Sequence, residues 1–181
     1  FDFDGEISEK LVHQLNSFLP PSIAVKKIFE VKEDFHARFS AKYRTYEYYI
    51  SLEKNPFSEK FAWQHWRKTL DVGKMNEACK ILFEYEDFGS FAKVGADNKT
   101  NICKIYHANW EQNGNELKFT ISADRFLRNM VRAIVGTMVE IGSGKLKPAD
   151  LRNVIEAKNR GVAGTSAPAH ALFLVDVGYD F

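Results

Sequence analysis

Residues 126–141 carry two adjacent apolar rows, and no other stretch constrains the fold as strongly. Phe126, Met130, Ile134 and Met138 lie on one row at a spacing of four, and Leu127, Val131, Val135 and Val139 on the next. Together they make a wide apolar stripe at helical period, so the spacing predicts a helix that needs a large apolar surface to lie on. The residues just before it can supply that surface. Leu117, Phe119, Ile121 and Ala123 alternate with Lys118, Thr120 and Ser122, which is the period of a half-buried strand. A second strand over Ile102–Trp110 joins it around Asn113-Gly114, a dipeptide that favours hairpin turns.

The remaining elements follow by the same reasoning. Phe1-Asp2-Phe3-Asp4 reads as the end of a strand. Ser8 caps a helix with Leu11, Val12, Leu15 and Phe18 on one face, which Pro20-Pro21 ends. Ile23–Val31 and Phe61–Arg67 are expected as strands. Lys42–Ser51 is the clearest strand, dense in Tyr, Thr and Ile. Asp71 caps a helix whose Val72, Met75, Cys79 and Leu82 share a face, which makes Cys79 a core residue. Asp87-Phe88-Gly89-Ser90-Phe91 is a loop. Pro148 opens a last helix with Leu151, Val154 and Ile155, ending near Gly161, and Leu172–Tyr179 closes as a strand. The order predicts an α+β fold, one antiparallel sheet with helices packed on one face, over 1–181 as a single domain.

Composition excludes several classes. Hydrophobic residues at 45% and charged residues at 27% rule out a disordered tail. No apolar run approaches the roughly 18 residues of a membrane helix, so membrane insertion is not expected. The start has no signal-peptide pattern and no Met, and the sequence is expected to begin inside a longer protein. Two cysteines, Cys79 and Cys103, are too few for a disulfide scaffold and suit a reducing cytoplasm. Five scattered histidines without ligand spacing predict no metal site. The formal charge of +1 neither requires nor excludes a polyanion, because binding follows local patches.

Two short motifs fail on context. Asp87-Phe88-Gly89 spells the kinase metal-binding tripeptide, but no glycine-rich loop or HRD loop precedes it. Gly142-Ser143-Gly144-Lys145 hints at a phosphate loop. That pattern needs Gly where Val139 stands and Ser or Thr where Leu146 stands.

Two constellations survive. Lys42, Arg44, Tyr46 and Tyr48 share one face of the 42–51 strand and interleave cations with rings. RNA binders need that combination, since cations hold phosphates and flat rings support an unstacked base. An exposed strand with tyrosines half buried against a helix has the same pattern. Arg125, Arg128, Asn129 and Arg132 cluster opposite the apolar rows of the 126–141 helix, and Gly136 continues that face. Cations early in a helix oppose its dipole, so a phosphate or a buried carboxylate accounts for them better than helix stability does. A solvated polar face is the plain alternative. The missing side chain at Gly136 leaves room for another backbone or a ligand.

These pieces resemble one family. Asp34-Phe35-His36-Ala37-Arg38-Phe39-Ser40-Ala41 running into Arg44-Thr45-Tyr46-Glu47-Tyr48 is similar to the central motif of the TruA-type tRNA pseudouridine synthases. So are Asp87-Phe88-Gly89-Ser90-Phe91, the Phe126–Gly136 run, and Ala167-Pro168-Ala169-His170-Ala171-Leu172-Phe173-Leu174. The four blocks occur in family order from the first residues to the last.

The resemblance implies isomerisation of uridine to pseudouridine in the anticodon stem-loop of tRNA, without cofactor or metal. It also implies a cytoplasmic homodimer whose chains pair two ferredoxin-like halves around the active cleft. The reaction breaks the glycosidic bond, turns the base and rejoins it through carbon 5, started by an aspartate acting on the base or the sugar carbon. Tyr46 then matches the tyrosine that stacks on the target base and assists removal of the carbon-5 proton. Arg132 matches the arginine that pairs with the catalytic aspartate, and Leu172 the aliphatic residue packing near the tyrosine ring. Lys104 stands where many members carry Arg, which keeps the charge but loses the two-pronged fork. Lys42, Arg44, Arg125 and Arg128 are the expected phosphate contacts.

Two departures stand out. Ala171 replaces the family's usual Gly, and the Gly-Arg-Thr-Asp-Ala-Gly-Val-His motif of the catalytic aspartate does not occur in the sequence. The chain therefore reads as a C-terminal part that carries the tyrosine and arginine but not the aspartate, and it is expected to be inactive as given. A non-catalytic RNA-binding module competes with this reading, as does a protein-interaction domain using the aromatic face.

Overall fold

The computed structural model describes residues 3, 5, 7–66 and 69–180. Contacts divide the chain into two compact units, residues 1–39 and residues 40–180.

In the first unit, α1 (Glu9–Phe18) starts at Ser8, whose carbonyl accepts from the N–H groups of Leu11 and Val12. The Ser8 hydroxyl makes no capping bond, so the cap is made by backbone alone. Leu11, Val12 and Leu15 are half-buried, whereas Phe18 is 89% exposed. The strand expected over Ile23–Val31 is not formed. A strand needs a partner to satisfy alternate N–H and C=O groups, and none pairs with it among the described residues. Asn16 partly replaces that partner, donating from Nδ2 to the Val25 carbonyl (2.8 Å) and accepting from the Val25 N–H (2.7 Å). Of the strand end expected at Phe1–Asp4, only Phe3 lies within the described residues, and it is not in a strand.

The second unit is α+β and holds the sheet. β1 (Tyr43–Ser51) is central, and β4 (Glu116–Ala123) pairs antiparallel with it along its length. β3 (Ile105–Asn113) pairs antiparallel with β4 through a turn in which Gly114 has φ +57°, so the hairpin forms as its glycine requires. The other side of β1 is shared. β5 (Leu172–Gly178) pairs antiparallel with residues 43–48, and β2 (Trp63–Gln64) pairs parallel with Ile50 and Ser51. Two expectations are corrected here. The sheet is mixed rather than wholly antiparallel, and the strand expected over Phe61–Arg67 shrinks to two residues, with Arg67 outside the described set. Only Ile50 and Ser51 of β1 pair with it, because β5 takes residues 43–48 of the same edge.

One face of this sheet is apolar. Tyr48, Ile50, Trp110, Leu117, Phe119 and Ile121 are almost wholly buried there. They share one core with Met75, Ala78 and Leu82 of α2 (Val72–Leu82) and with Met130, Ile134 and Met138 of α3 (Met130–Gly142). Leu151, Val154 and Ile155 of α4 (Asp150–Glu156) join the same core. The Asp71 carboxylate accepts from the Lys74 N–H and caps α2 as its sequence predicts. The opposite face carries Glu47, Lys118 and Glu111, where the Lys118 ammonium lies 2.9 Å from Glu111 and 3.8 Å from Glu47.

Two helix limits differ from expectation. α4 ends at Glu156 rather than near Gly161, and residues 160–162 form a separate 3-10 turn whose Gly161 N–H is held by the Asn159 side chain. More important, α3 starts at Met130, so residues 126–129 are not helical. Asn129 stands at φ +71°, a left-handed conformation that cannot continue a helix backwards. No helix among the described residues is long and apolar enough to cross a membrane.

Candidate active site

The site grows from the face of β1 that looks onto the core. Tyr46 is half-buried, lies between Ile121 of β4 and Leu174 of β5, and meets the Phe126 ring edge-on at 5.2 Å. The β1–β5 register shifts between Thr45 and Tyr46, an irregularity of the kind that re-aims a side chain. Tyr48 lies two residues along the same face, fully buried, with its hydroxyl donating to the Pro168 carbonyl at 2.9 Å. Burial pushes the Tyr48 phenol well above its ordinary value of 10, and the nearby Arg132 charge opposes that shift. Leu172 opens β5 half-buried, and its register partner is Tyr48 rather than Tyr46.

Arg132 sits in the first turn of α3 and is half-buried. Its Nε donates to the Ala167 carbonyl at 2.6 Å, and the Ala167 N–H donates back to the Arg132 carbonyl at 3.0 Å. Among the described residues nothing bonds to its Nη1 and Nη2 groups, so one edge of the guanidinium is tied and the fork is open. Tyr48 and Arg132 thus converge on the Ala167-Pro168 segment, with Tyr46 next along the strand.

The other expected cations separate into three settings. The backbones of Lys104 and Arg125 meet at Asp124, whose Oδ1 accepts from their backbone N–H groups at 2.8 and 2.7 Å. Arg44 joins them from β1, donating through Nη1 to the carbonyls of Asp124 (2.7 Å) and Ala41 (2.9 Å). The alternation that puts Arg44 beside Tyr46 correctly predicts their shared face, but this guanidinium is engaged in holding backbone. Lys42 is exposed and pairs with Asp180 at 3.2 Å. Arg128 is exposed, and its carbonyl accepts from the Lys93 N–H. Arg125, Arg128 and Asn129 therefore do not form the helical row with Arg132 that their spacing suggests, because the segment is irregular before Met130.

Several residues escaped sequence reasoning. Asp124 holds the backbone of Lys104 and Arg125 with its carboxylate and the Arg44 guanidinium with its carbonyl, and an acidic residue between a strand end and a cationic run is the signal that points to it. Ser166 accepts from Asn129 Nδ2 (2.6 Å) and from Arg160 Nη2 (2.8 Å), and only the tertiary fold brings these three together. Gly136 does what its position suggests. A Cβ there would collide with the Thr165 carbonyl, so the close partner is backbone. Among the described residues no group of three or more His, Cys, Asp or Glu side chains is disposed to hold a metal ion.

Comparison with known proteins gives one consistent answer. Residues 78–180 match the family described as tRNA pseudouridine synthase. A tRNA pseudouridine synthase A of Parabacteroides distasonis is 54% identical over 181 residues, covering 99% of this chain and 71% of the relative. That of Bacteroides fragilis is 54% identical over 182 residues, with 99% and 72% covered. The Bacillus subtilis protein of the same name is 38% identical over 183 residues, with 98% and 74% covered.

Proposed function

The chain belongs to the tRNA pseudouridine synthase family, and from that premise we propose that it supplies the tyrosine and arginine of a cleft acting on the anticodon arm of tRNA. There uridine is converted to pseudouridine. The C1′–N1 glycosidic bond breaks, the base turns, C1′ bonds to carbon 5, the carbon-5 proton is lost and N1 takes up a proton, so the net change is an isomerisation without cofactor or metal. In the fuller reading the enzyme works as a cytoplasmic homodimer.

In this reading Tyr46 stacks on the target base and helps remove the carbon-5 proton. Its half-buried ring, held edge-on by Phe126, suits a flat surface that a base can reach. Leu172 helps wall the cleft from the start of β5. Lys42, Lys104, Arg125 and Arg128 hold phosphates at the margin. Arg44 supports the strand end through its two carbonyls.

The observation that carries the proposal is the open fork of Arg132. A guanidinium fixed by Nε presents Nη1 and Nη2 in the geometry that takes both oxygens of a carboxylate. None of the described carboxylates occupies it, and the motif of the family's catalytic aspartate does not occur in the sequence, so in this reading the aspartate comes from outside these 181 residues. The test assays the 181-residue chain, alone and extended by the additional sequence its relatives carry, on one unmodified tRNA. The extended protein should form pseudouridine and the shorter chain none, while both bind the tRNA. Pseudouridine made by the shorter chain overturns the assignment of the carboxylate. A chain that makes none and an extended protein that also makes none support the non-catalytic RNA-binding alternative.

A further inference from the structure

Residues 163–168 form a short strap over α3 that two cationic or polar side chains hold from outside the site. Arg160 Nη1 donates to the Ala163 carbonyl at 3.2 Å, and its Nη2 donates to Ser166 Oγ at 2.8 Å. Asn129 Nδ2 reaches the same Ser166 oxygen at 2.6 Å from the residue that precedes α3. The next residue, Ala167, is the one that binds Arg132 in both directions, and the Pro168 carbonyl receives the Tyr48 hydroxyl. From this arrangement we infer that Arg160 and Asn129 are positioning residues, which set the direction of the Arg132 fork by fixing Ser166. The inference rests on the reading of Arg132 given above, and goes beyond it by adding residues that touch no substrate.

The strap does not need Ser166 merely to stay on the helix. The Gly164 N–H donates to Thr137 Oγ1 at 2.9 Å, and Gly136 lets the Thr165 carbonyl approach the helix backbone. The Ala167 N–H bond adds a further attachment. Between these attachments the Ser166 backbone makes no bond to other backbone among the described residues, so its side chain is what holds the residue next to Ala167 in place. The Ser166 oxygen is held from two directions by donors on different segments. Placing a guanidinium within a fraction of an ångström of its productive position is the kind of task such support performs. Arg160 is half-buried, and no carboxylate among the described residues forms an ion pair with it or with Arg132. Its charge is directed to Ser166 and Ala163, which makes the Arg160 bond to Ser166 charge-assisted and stronger than a neutral one.

Two measurements test this. In the 181-residue chain labelled with 15N-arginine, the Arg132 Nε–Hε resonance reports the bond to Ala167. Its solvent exchange should quicken about tenfold in Ser166→Ala and stay near the parent rate in Ser166→Thr, which keeps the oxygen. Arg160→Lys, whose single ammonium lacks the two-pronged reach, should fall between them. A turnover-competent form of the protein then gives single-turnover rates and tRNA affinity separately. Ser166→Ala should lower the rate about tenfold with the Kd unchanged, and Ser166→Thr should restore it. Unchanged Hε exchange in both Ser166→Ala and Arg160→Lys overturns the inference. So does a Ser166→Ala loss that appears in Kd alone, which would make the strap an RNA contact. If exchange quickens and the rate holds, Arg132→Lys separates the two ideas. A slow Arg132→Lys sinks only the positioning role, and a fast one sinks the role of Arg132 itself.

Discussion

Arg132 and Ala167 bind each other twice, side chain to carbonyl at 2.6 Å and N–H to carbonyl at 3.0 Å. The pair joins the first turn of α3 to the residues just before β5, and it leaves the guanidinium fork free. A cation at that end of a helix gains nothing from the helix dipole. Its position is therefore better explained by the partner the fork can take than by local stability.

Tyr48 anchors the adjacent carbonyl, and its removal should be felt in stability. Tyr48→Phe leaves the half-buried Pro168 oxygen without its donor, a loss of about 1 kcal/mol. The pH dependence has a definite sign. Because burial raises the folded phenol above 10, stability from Tyr48 is complete below pH 10 and is lost as pH rises above it, where the unfolded phenol ionises first. Urea midpoints between pH 9 and about 11.5 should therefore fall for the parent and fall less steeply for Tyr48→Phe. Some slope should remain, since Asp176 and Glu47 raise the phenols of Tyr43 and Tyr49. Equal slopes in both proteins would remove Tyr48 from this account.

Gly136→Ala offers a test in which two effects oppose each other. In an open helix the change should stabilise by about 1 kcal/mol through propensity. Here the new methyl meets the Thr165 carbonyl, which is backbone and cannot swing aside. Overpacking of this kind costs about 1–3 kcal/mol, so thermal unfolding should show a lower Tm. A raised Tm would mean that the helix and the strap are not in close contact.

The exposed and the engaged arginines should behave differently toward RNA. Arg128→Ala should weaken tRNA binding and reduce the log–log salt slope by about 0.7–0.9, the signature of one phosphate contact. Arg44→Ala should instead lower the melting temperature, because Arg44 holds the carbonyls of Ala41 and Asp124. A salt series on both variants decides the matter. If Arg44→Ala changes the slope and leaves stability alone, its guanidinium serves RNA rather than the fold.

Periodicity made the framework legible. The alternation in Leu117–Ala123, the capped helix after Asp71 and the apolar rows from Met130 onward all formed as spacing predicts, because each buries one face on the same core. Where structure depended on distant partners, spacing misled. Residues 126–129 match a helical pattern, yet Asn129 adopts a left-handed backbone and the preceding N–H groups of Lys104 and Arg125 go to Asp124. The run Ile23–Val31 has strand composition but no partner strand among the described residues. Alternation and spacing single out Tyr46 and Arg132, and the family resemblance supplies their roles. The Ser166 contacts that lie behind Arg132 leave no local mark in the sequence, since Asn129, Arg160 and Ser166 meet only in three dimensions.

The central claim is that Tyr46 and Arg132 act in the chemical step on tRNA. Release of the carbon-5 hydrogen from tritiated uridine in unmodified tRNA, followed under single-turnover conditions, measures that step directly. In a turnover-competent form of the protein, Tyr46→Phe keeps the ring and Arg132→Lys keeps the charge, so tRNA affinity should stay close to the parent. Each should slow tritium release by about 100-fold or more, as expected for loss of a proton-transfer group or of a two-pronged carboxylate contact. Release at the parent rate in both variants would contradict the account.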